Sequence, residues 1–438
     1  MESREKLKKI LIEWSEFKIP ALYERDFDWG LLNGKEILSM IGARRTGKSY
    51  LCYQLMRKLR ETLPASNIIY INLEDERLSP LKGDELTLLW DICRELFPIE
   101  MDKRMYLFID EIQNMENWSK WARRIIEQNP LLKLIITGSS SKMLSREIAT
   151  ELRGRTLTYK VFPLSFDEYL RAKGVKYDLK NILYSNNRPV IKKYFNEYAA
   201  RGGFPAVLGS PNPGELLREY YSVMFYRDVA ERHKIKNLRL LEDYLTLLMD
   251  QAGCSFSVSA TARKLAEFGH SFSKNTLTNF STYARDAFLL FEAKKYSFKI
   301  REQMRAVRKI YTIDHGLAQA VRFAFQDNYG RLMENIAYIH LLRLNKDVYY
   351  HKGKRECDFV VCGSGKISGL IQVTKTMADS KTKERETEGL IEAMACYKVQ
   401  RGLILTDDDS EEIKMKEGVI TVLPLWYWLL ETGAGASD

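Results

Sequence analysis

Residues 42–49, which read Gly-Ala-Arg-Arg-Thr-Gly-Lys-Ser, are the stretch that decides the fold of this 438-residue chain. An apolar, β-rich run at Ile37–Ile41 precedes them, and Leu51, Leu55 and Leu59 form one stripe of a helix after them. Glycines let a backbone approach an anion closely, and the first N–H groups of a helix point at it. The spacing and its strand–loop–helix setting predict a P-loop that binds nucleotide phosphates.

The residue types in this loop predict separate tasks. Lys48 brings a point charge to the β- and γ-phosphates, and the Ser49 hydroxyl binds Mg²⁺. Arg44 and Arg45 are open to two interpretations, since they either contact phosphate or point to solvent. The predicted ligands are ATP and Mg²⁺. The predicted nucleotide-binding residues are Gly42, Ala43, Arg44, Arg45, Thr46, Gly47, Lys48, Ser49 and Tyr50.

An acidic pair ends a second buried strand and completes the predicted site. The run Tyr106–Ile109 leads directly into Asp110 and Glu111. We expect Asp110 to hold Mg²⁺ through water and Glu111 to act as the general base that polarises the attacking water. A further strand at Ile68–Leu73 lies between the two motifs, an arrangement that resembles the ATPase branch containing AAA proteins rather than the GTPases.

The apolar pattern divides the chain into four predicted domains. Strands and helices alternate in residues 1–164, which predicts a P-loop domain with a parallel sheet covered on both faces. Helical patterns dominate residues 165–250, a predicted lid or linker. Residues 251–320 have the order of a winged helix-turn-helix, and residues 321–438 return to mixed α/β. The predicted fold class is therefore a multidomain α/β protein.

The predicted winged helix contains the densest positive charge in the chain. Its predicted recognition helix, residues 273–285, turns Leu277, Phe280 and Ala284 to the core. Residues Lys294–Lys309 contain seven bases and one acid, so their net charge is +6. Such a wing suits a phosphate backbone, and nucleic acid, with DNA favoured, is the predicted partner. The alternatives are a module that only packs against the ATPase domain and a hairpin that is only solvated.

Several further stretches give the chain a resemblance that covers nearly its whole length. It resembles a large bacterial and archaeal family of AAA-type (STAND-like) ATPases with a C-terminal winged helix and restriction-endonuclease-like α/β domain. The stretches are IDEIQNMENWSKWARRI, LIITGSSSKML, ELRGRTLTYKVFPLSFDEYL, YAARGGFPAVL, YRDVAER, KIYTIDHGLA, GRLMENIAYIHLLR, RECDFVV, LIQVTK and LPLWYWLL.

The resemblance implies further residues of the ATPase site. Ser139, after the fourth strand, matches a sensor of the γ-phosphate or the lytic water. Arg155 matches an arginine that acts as a finger or sensor on the nucleotide, and Arg153 is its close competitor. Action on a neighbour's nucleotide would require a homo-oligomer, and the sequence leaves action on the chain's own site equally open.

The resemblance also implies a second Mg²⁺ site near the C-terminus. Glu334, Asp358 and Gln372 fall at the positions of its ligands, with Glu356 two residues before Asp358. Gln372 and Thr374 stand where the family pattern has glutamate and lysine, which weakens the site. Three interpretations therefore stay open: a working nuclease, a domain that recognises nucleic acid or protein without cutting, and a structural cap.

Composition limits the class of protein without choosing a function. The formal net charge of +10 permits an anionic partner. The six cysteines contain no CxxC pair, which fits reduced thiols. No apolar run is long enough to span a bilayer, and the charged N-terminus lacks the apolar core of a signal peptide. We therefore expect a cytoplasmic ATPase that engages no membrane.

Overall fold

The computed structural model describes residues 2–78, 83–100, 102–140, 152, 154–322 and 329–434. The chain forms two compact units, Met1–Phe162 and Pro163–Asp438. Their boundary lies two residues before the predicted end of the P-loop domain at residue 164. Within the described residues, no helix is both long and apolar enough to cross a membrane.

The first unit is built on a parallel sheet. Within the described residues it has five strands in the order β2-β3-β4-β1-β5. Every strand pair in it is parallel, so the carboxyl ends of the strands share one edge. The elements are α1 (Glu2–Ser15), β1 (Ile37–Ile41), α2 (Lys48–Leu59), β2 (Ile68–Asn72), α3 (Gly83–Leu96), β3 (Met105–Asp110), α4 (Trp118–Gln128), β4 (Leu132–Gly138) and β5 (Thr156–Lys160).

The apolar runs that marked the strands in the sequence explain this layering. All residues of β1, β3 and β4 are buried, as expected for central parallel strands covered on both faces. Only β5 is largely exposed, and it lies at the edge of the sheet. The predicted parallel sheet is confirmed, and it places the ends of β1, β3 and β4 side by side.

The second unit combines a helical part with a large mixed sheet. Its helices are Phe166–Ala172, Arg188–Arg201, Pro213–Val223, a π-helical stretch Met224–Glu231, Leu238–Asp250, Val258–Glu267, Lys274–Asp286, Ile300–Arg305, His315–Val321, Tyr329–Arg343, Ser380–Tyr397 and Leu425–Ala434. Its strands are β6 (Cys254–Phe256), β7 (Leu290–Lys295), β8 (Arg308–Thr312), β9 (Asp347–Lys352), β10 (Glu356–Gly363), β11 (Lys366–Val373), β12 (Arg401–Thr406), β13 (Glu411–Met415) and β14 (Gly418–Pro424).

One continuous sheet crosses the predicted boundary at residues 320/321. Its described strands follow the order β13-β14-β12-β11-β10-β9-β7-β8-β6. The link is a parallel pairing of β7 with β9, in which Lys294 lies opposite Tyr349 and Lys295 opposite Tyr350. The hairpin β7–β8 therefore extends the sheet of the C-terminal part, and the two predicted segments share one backbone hydrogen-bond network.

Candidate functional site

The loop 42–49 joins the end of β1 to the start of α2. A Cβ on Gly42 would lie 2.2 Å from the Val161 carbonyl oxygen, so only glycine fits there. Gly47 has φ +96° and Arg45 has φ +67°, which turn the backbone into α2. The Thr46 hydroxyl donates to the Ala43 carbonyl oxygen at 2.9 Å. The loop is thus held in a tight turn at the carboxyl edge of the sheet.

Lys48 lies inside this turn, where its ammonium contacts the loop itself. Its Nζ donates to the carbonyl oxygens of Gly42 at 3.2 Å and Ala43 at 3.1 Å. Nζ also lies 3.6 Å from Glu111 Oε1. The structure therefore brings together the predicted phosphate-binding lysine and the predicted general base.

Asp110 is buried at the end of β3 and accepts hydrogen bonds from two hydroxyl groups. Tyr70 OH donates to its Oδ2 at 2.7 Å, and the Thr137 hydroxyl donates to its Oδ1. The Ser49 side chain also acts on Asp110 and favours its charged form. Burial, followed by the charge of Glu111, raises the pKa of Asp110 above its usual value. A carboxylate in this setting gains from a nearby cation, which would favour its charged form.

Glu111 lies at the turn after β3 and has φ +55°. Its backbone N–H donates to the Thr137 hydroxyl oxygen at 2.9 Å, which fixes the turn against β4. The Gln113 amide donates to Glu111 Oε2 and lies 3.4 Å from the Ser139 hydroxyl. Glu111, Gln113 and Ser139 thus form one connected polar group beside Lys48.

These residues fit a nucleotide with Mg²⁺. Ser49 and Asp110 together present hydroxyl and carboxylate oxygens, the ligand types that Mg²⁺ prefers. Lys48 presents a buried ammonium whose loop carbonyl contacts are weaker partners than phosphate oxygens. The guanidinium of Arg44 pairs with Glu74 Oε1 at 2.8 Å. Contact of Arg44 with phosphate stays a prediction. Arg45 and Tyr50 have exposed side chains.

Four residues that the sequence interpretation missed support this site. Tyr70 and Thr137 bind Asp110, Gln113 binds Glu111, and Arg25 supports the loop. The buried Arg25 guanidinium donates to the Thr46 carbonyl oxygen at 2.9 Å and to the Phe162 carbonyl oxygen at 2.7 Å. Thr137 has a sequence signal, because it directly follows the apolar run of β4, whereas Arg25 has none.

Arg155 lies away from the loop 42–49 of its own chain. The Arg155 carbonyl accepts from the Ile37 backbone N–H at 2.8 Å, so Arg155 lies where β1 begins. The loop lies at the other end of β1, roughly 16 Å away for five residues of strand. The Arg155 guanidinium pairs with Glu127 in α4. A role at a neighbouring copy stays a prediction, and its competitor Arg153 lies outside the described residues.

In the second unit, Glu334, Asp358 and Glu356 converge on a lysine. Lys309 Nζ lies 3.0 Å from Glu334 Oε1, 2.8 Å from Asp358 Oδ1 and 2.8 Å from Glu356 Oε1. We call these four residues the lysine–carboxylate cluster. Glu334 comes from the helix Tyr329–Arg343, the other two acids from β10, and Lys309 from β8.

The charges in this cluster shift one another's pKa values. Burial, and then the charge of Asp358, raise the pKa of Glu334 to about 7. Burial alone would lower the pKa of Lys309, but the charges of Asp358 and Glu334 outweigh it and raise that pKa. Tyr311 OH also donates to Glu334 Oε1 at 2.7 Å.

Gln372, a predicted metal ligand, contacts protein groups through both ends of its amide. Its amide oxygen accepts from the Asp358 backbone N–H at 3.1 Å, and its amide nitrogen donates to Glu386. Asp358 Oδ2 in turn accepts from the Val373 backbone N–H at 2.9 Å. The Gln372 carbonyl oxygen is therefore engaged by the backbone of the strand beside it.

Two of the seven bases of the predicted basic wing are engaged by acids of the second unit, and one of them, Lys309, is buried. Lys309 is 2% exposed, and Arg308 pairs with Glu292 in β7. The connection between β7 and β8 keeps exposed Lys299, Arg301 and Arg305, with Phe298, Ile300 and Met304 exposed beside them. We call this connection, residues 296–307, the hairpin tip.

Comparison with known sequences supports the assignment of the first unit. Residues 34–170 match the pattern of a AAA domain, and residues 192–328 match a domain of unknown function (DUF8612). An uncharacterized protein of Haemophilus influenzae is 29% identical over 395 residues, which cover 89% of this chain and 93% of that protein.

Solved structures give weaker likenesses. The Orc1 protein of Aeropyrum pernix, solved in complex with DNA, covers 73% of this chain and 91% of its own at 13% identity and a TM-score of 0.29. Cdc6p of Pyrobaculum aerophilum covers 77% of this chain and 93% of its own at 13% identity and a TM-score of 0.25. Scores this low add nothing to the fold that the strand order defines.

The uncharacterized protein MJ1544 of Methanocaldococcus jannaschii is 34% identical over 427 residues, which cover 94% of this chain and 92% of that protein. With this identity over nearly the full length of both, the chain belongs to the same family as MJ1544, and its first unit is a P-loop AAA-type ATPase domain.

Proposed function

We propose that the protein is a Mg²⁺-dependent ATPase that couples ATP binding and hydrolysis to the engagement of nucleic acid, with DNA favoured. The observation that carries the catalytic part is the convergence of Lys48, Glu111, Asp110 and Ser49 at one edge of the sheet. The decisive experiment is the replacement of Glu111 by glutamine, which should lower ATP turnover and leave nucleotide binding intact.

Each residue of the site has a defined task in this proposal. Lys48 leaves the loop carbonyls for the phosphate oxygens, while Ser49 and Asp110 hold Mg²⁺. When bound, Mg²⁺ neutralises charge that develops on the phosphates. Glu111 accepts a proton from the attacking water, and Gln113 and Ser139 hold the Glu111 carboxylate and that water in place.

The nucleic-acid part of the proposal rests on the second unit. Helix Leu238–Asp250, β6, two further helices and the hairpin β7–β8 follow the order of a winged helix-turn-helix. Leu277, Phe280 and Ala284 are buried, which leaves Lys274, Asn275, Thr278 and Asn279 exposed on the helix Lys274–Asp286. These side chains and the basic hairpin tip suit phosphates and base edges.

Reversing two charges at the hairpin tip is expected to weaken DNA binding and flatten its salt dependence. In Arg301→Glu/Arg305→Glu, each lost phosphate contact should reduce the slope of log K against log salt by about 0.9. Fluorescence anisotropy on a labelled duplex over a salt series measures this slope. Lys366→Glu, at an exposed lysine that begins β11, is the control. A wild-type affinity that is flat in salt would reject the interface.

Arg155 is proposed to act on the nucleotide of a neighbouring copy in a homo-oligomer. We expect Arg155→Ala and Lys48→Ala to be inactive alone and to regain ATP turnover when mixed, because each supplies the part that the other lacks. Arg123→Ala is the matched control, since Arg123 shares the Glu127 carboxylate at 3.2 Å. Phosphate release is the measurement. An Arg155→Ala variant with wild-type turnover would contradict the role.

A second candidate is an ATP-dependent regulatory switch whose C-terminal part recognises protein or nucleic acid without cleavage. The observation in its favour is the engagement of Gln372 by the Asp358 backbone and Glu386. In this candidate function the Gln372 amide holds neighbouring protein groups, and the predicted nuclease site is left without its third ligand. Cleavage of DNA or RNA by the wild-type chain with Mg²⁺ or Mn²⁺ would reject this alternative.

A further inference from the structure

The lysine–carboxylate cluster has an unusually complete arrangement around one ammonium group. An ammonium has three N–H donors, and Lys309 Nζ has one carboxylate oxygen within 3.0 Å for each of them. The Lys309 side chain is only 3% exposed. Two of these contacts are hydrogen bonds, to Glu334 and Asp358, and the third is an ion pair with Glu356, so protein carboxylates surround the ammonium.

This position is the centre that a divalent ion would take. An ion held jointly by Glu334, Glu356 and Asp358 would have to bind the oxygens that now accept from Lys309. Mg²⁺ requires oxygens at about 2.0–2.1 Å and Ca²⁺ at about 2.3–2.6 Å, whereas these lie 2.8–3.0 Å from Nζ. Within the described residues, no three His, Cys, Asp or Glu side chains are spaced to hold a metal ion.

The charges near the cluster nearly balance without a metal. Lys352 Nζ lies 2.6 Å from the second Glu356 oxygen, so two lysines face three acids. A divalent ion would therefore enter only by displacing the Lys309 ammonium.

We propose that Lys309 is the resident cation of this cluster and holds, with its ammonium, the place of the metal ion that a nuclease of this layout would bind. This inference goes beyond the proposed ATPase, since it concerns the second unit alone. Its consequence is that removing Lys309 turns the cluster into a latent divalent-cation site.

The test compares Ca²⁺ and Mn²⁺ binding to the nucleotide-free full chain by isothermal titration calorimetry. The wild-type chain is expected to bind neither ion at the cluster, so its binding heats should be the same as those of Asp358→Asn. Lys309→Met should have a lower Tm, because it leaves buried carboxylates unpaired, and a Tm that rises with added ion. It should also bind ion with a heat signal that Lys309→Met/Asp358→Asn loses.

Lys352→Met is the matched control, because it removes a lysine from the same Glu356 carboxylate at a side chain that is 55% exposed. It should gain no ion binding. Two results overturn the proposal. The first is wild-type ion binding or DNA cleavage that Asp358→Asn abolishes. The second is a folded Lys309→Met variant that binds neither ion. If Lys309→Met does not fold, the comparison of ion binding by wild type and Asp358→Asn still tests the proposal.

Discussion

Glu111→Gln is expected to lower ATP turnover by about 10²–10⁴-fold, the usual contribution of a general base, and to leave nucleotide binding intact. Glutamine keeps the size of the side chain but cannot accept a proton from water. The neighbouring Lys48 ammonium, 3.6 Å away, stays available for phosphate. Steady-state phosphate release and titration with a fluorescent ATP analogue measure the two quantities separately.

Glu74→Gln is the control for that variant. Glu74 follows β2 at the same edge of the sheet, pairs with Arg44 of the loop and has a side chain that is 43% exposed. It should retain most of the turnover, because surface ion pairs contribute little. Wild-type turnover in Glu111→Gln would show that another group is the base.

Lys48→Ala is expected to weaken ATP binding by about 10–100-fold and to remove measurable turnover. Hydrogen bonds to charged groups contribute about 1.5–3 kcal/mol, which sets this range. Alanine takes away the buried ammonium that now contacts the carbonyl oxygens of Gly42 and Ala43. The same fluorescent titration and phosphate-release assay measure the effect.

Lys58→Ala controls for the loss of a lysine from the same helix. Its side chain is 60% exposed and pairs with Glu61 at 2.8 Å, far from the loop in sequence. ATP affinity in Lys48→Ala equal to that of Lys58→Ala would contradict the assignment of the phosphate cradle. A loss of both affinity and thermal stability in Lys48→Ala would point instead to a collapsed loop.

The first unit could be predicted from sequence because its signals are local. A strand, a glycine loop and a helix follow one another at residues 37–59, and Asp110 directly follows a buried run. In a parallel sheet the carboxyl ends of neighbouring strands meet at one edge. Strand alternation therefore brings Asp110 close to Lys48 without knowledge of any side-chain contact.

The lysine–carboxylate cluster could not be predicted because its central contact depends on strand pairing. Lys309 and Asp358 are 49 residues apart, and their approach requires β7 to pair with β9. A run of bases gives no sign of which lysine points inward. The sequence therefore assigns Lys309 to the basic wing, although it lies next to Ile310 in a strand whose last four residues are buried.

Within the first unit, the sequence could not predict at which edge of the sheet Arg155 lies. Its position before β5 could be read from the sequence, but the edge of the sheet at which it lies follows only from the direction of that strand. Because β5 runs parallel to β1, the start of β5 lies beside Ile37 and not beside the loop. The same register places the Arg155 guanidinium against Glu127.

The sheet that runs from β6 to β13 also bears on how such proteins can be recombined. A cut at residue 320 would give one fragment the hairpin β7–β8 and leave the other with an open strand edge at β9. The second fragment would also keep Glu334, Glu356 and Asp358 without their cation. The hairpin β7–β8 therefore cannot be exchanged on its own without opening the sheet at β9.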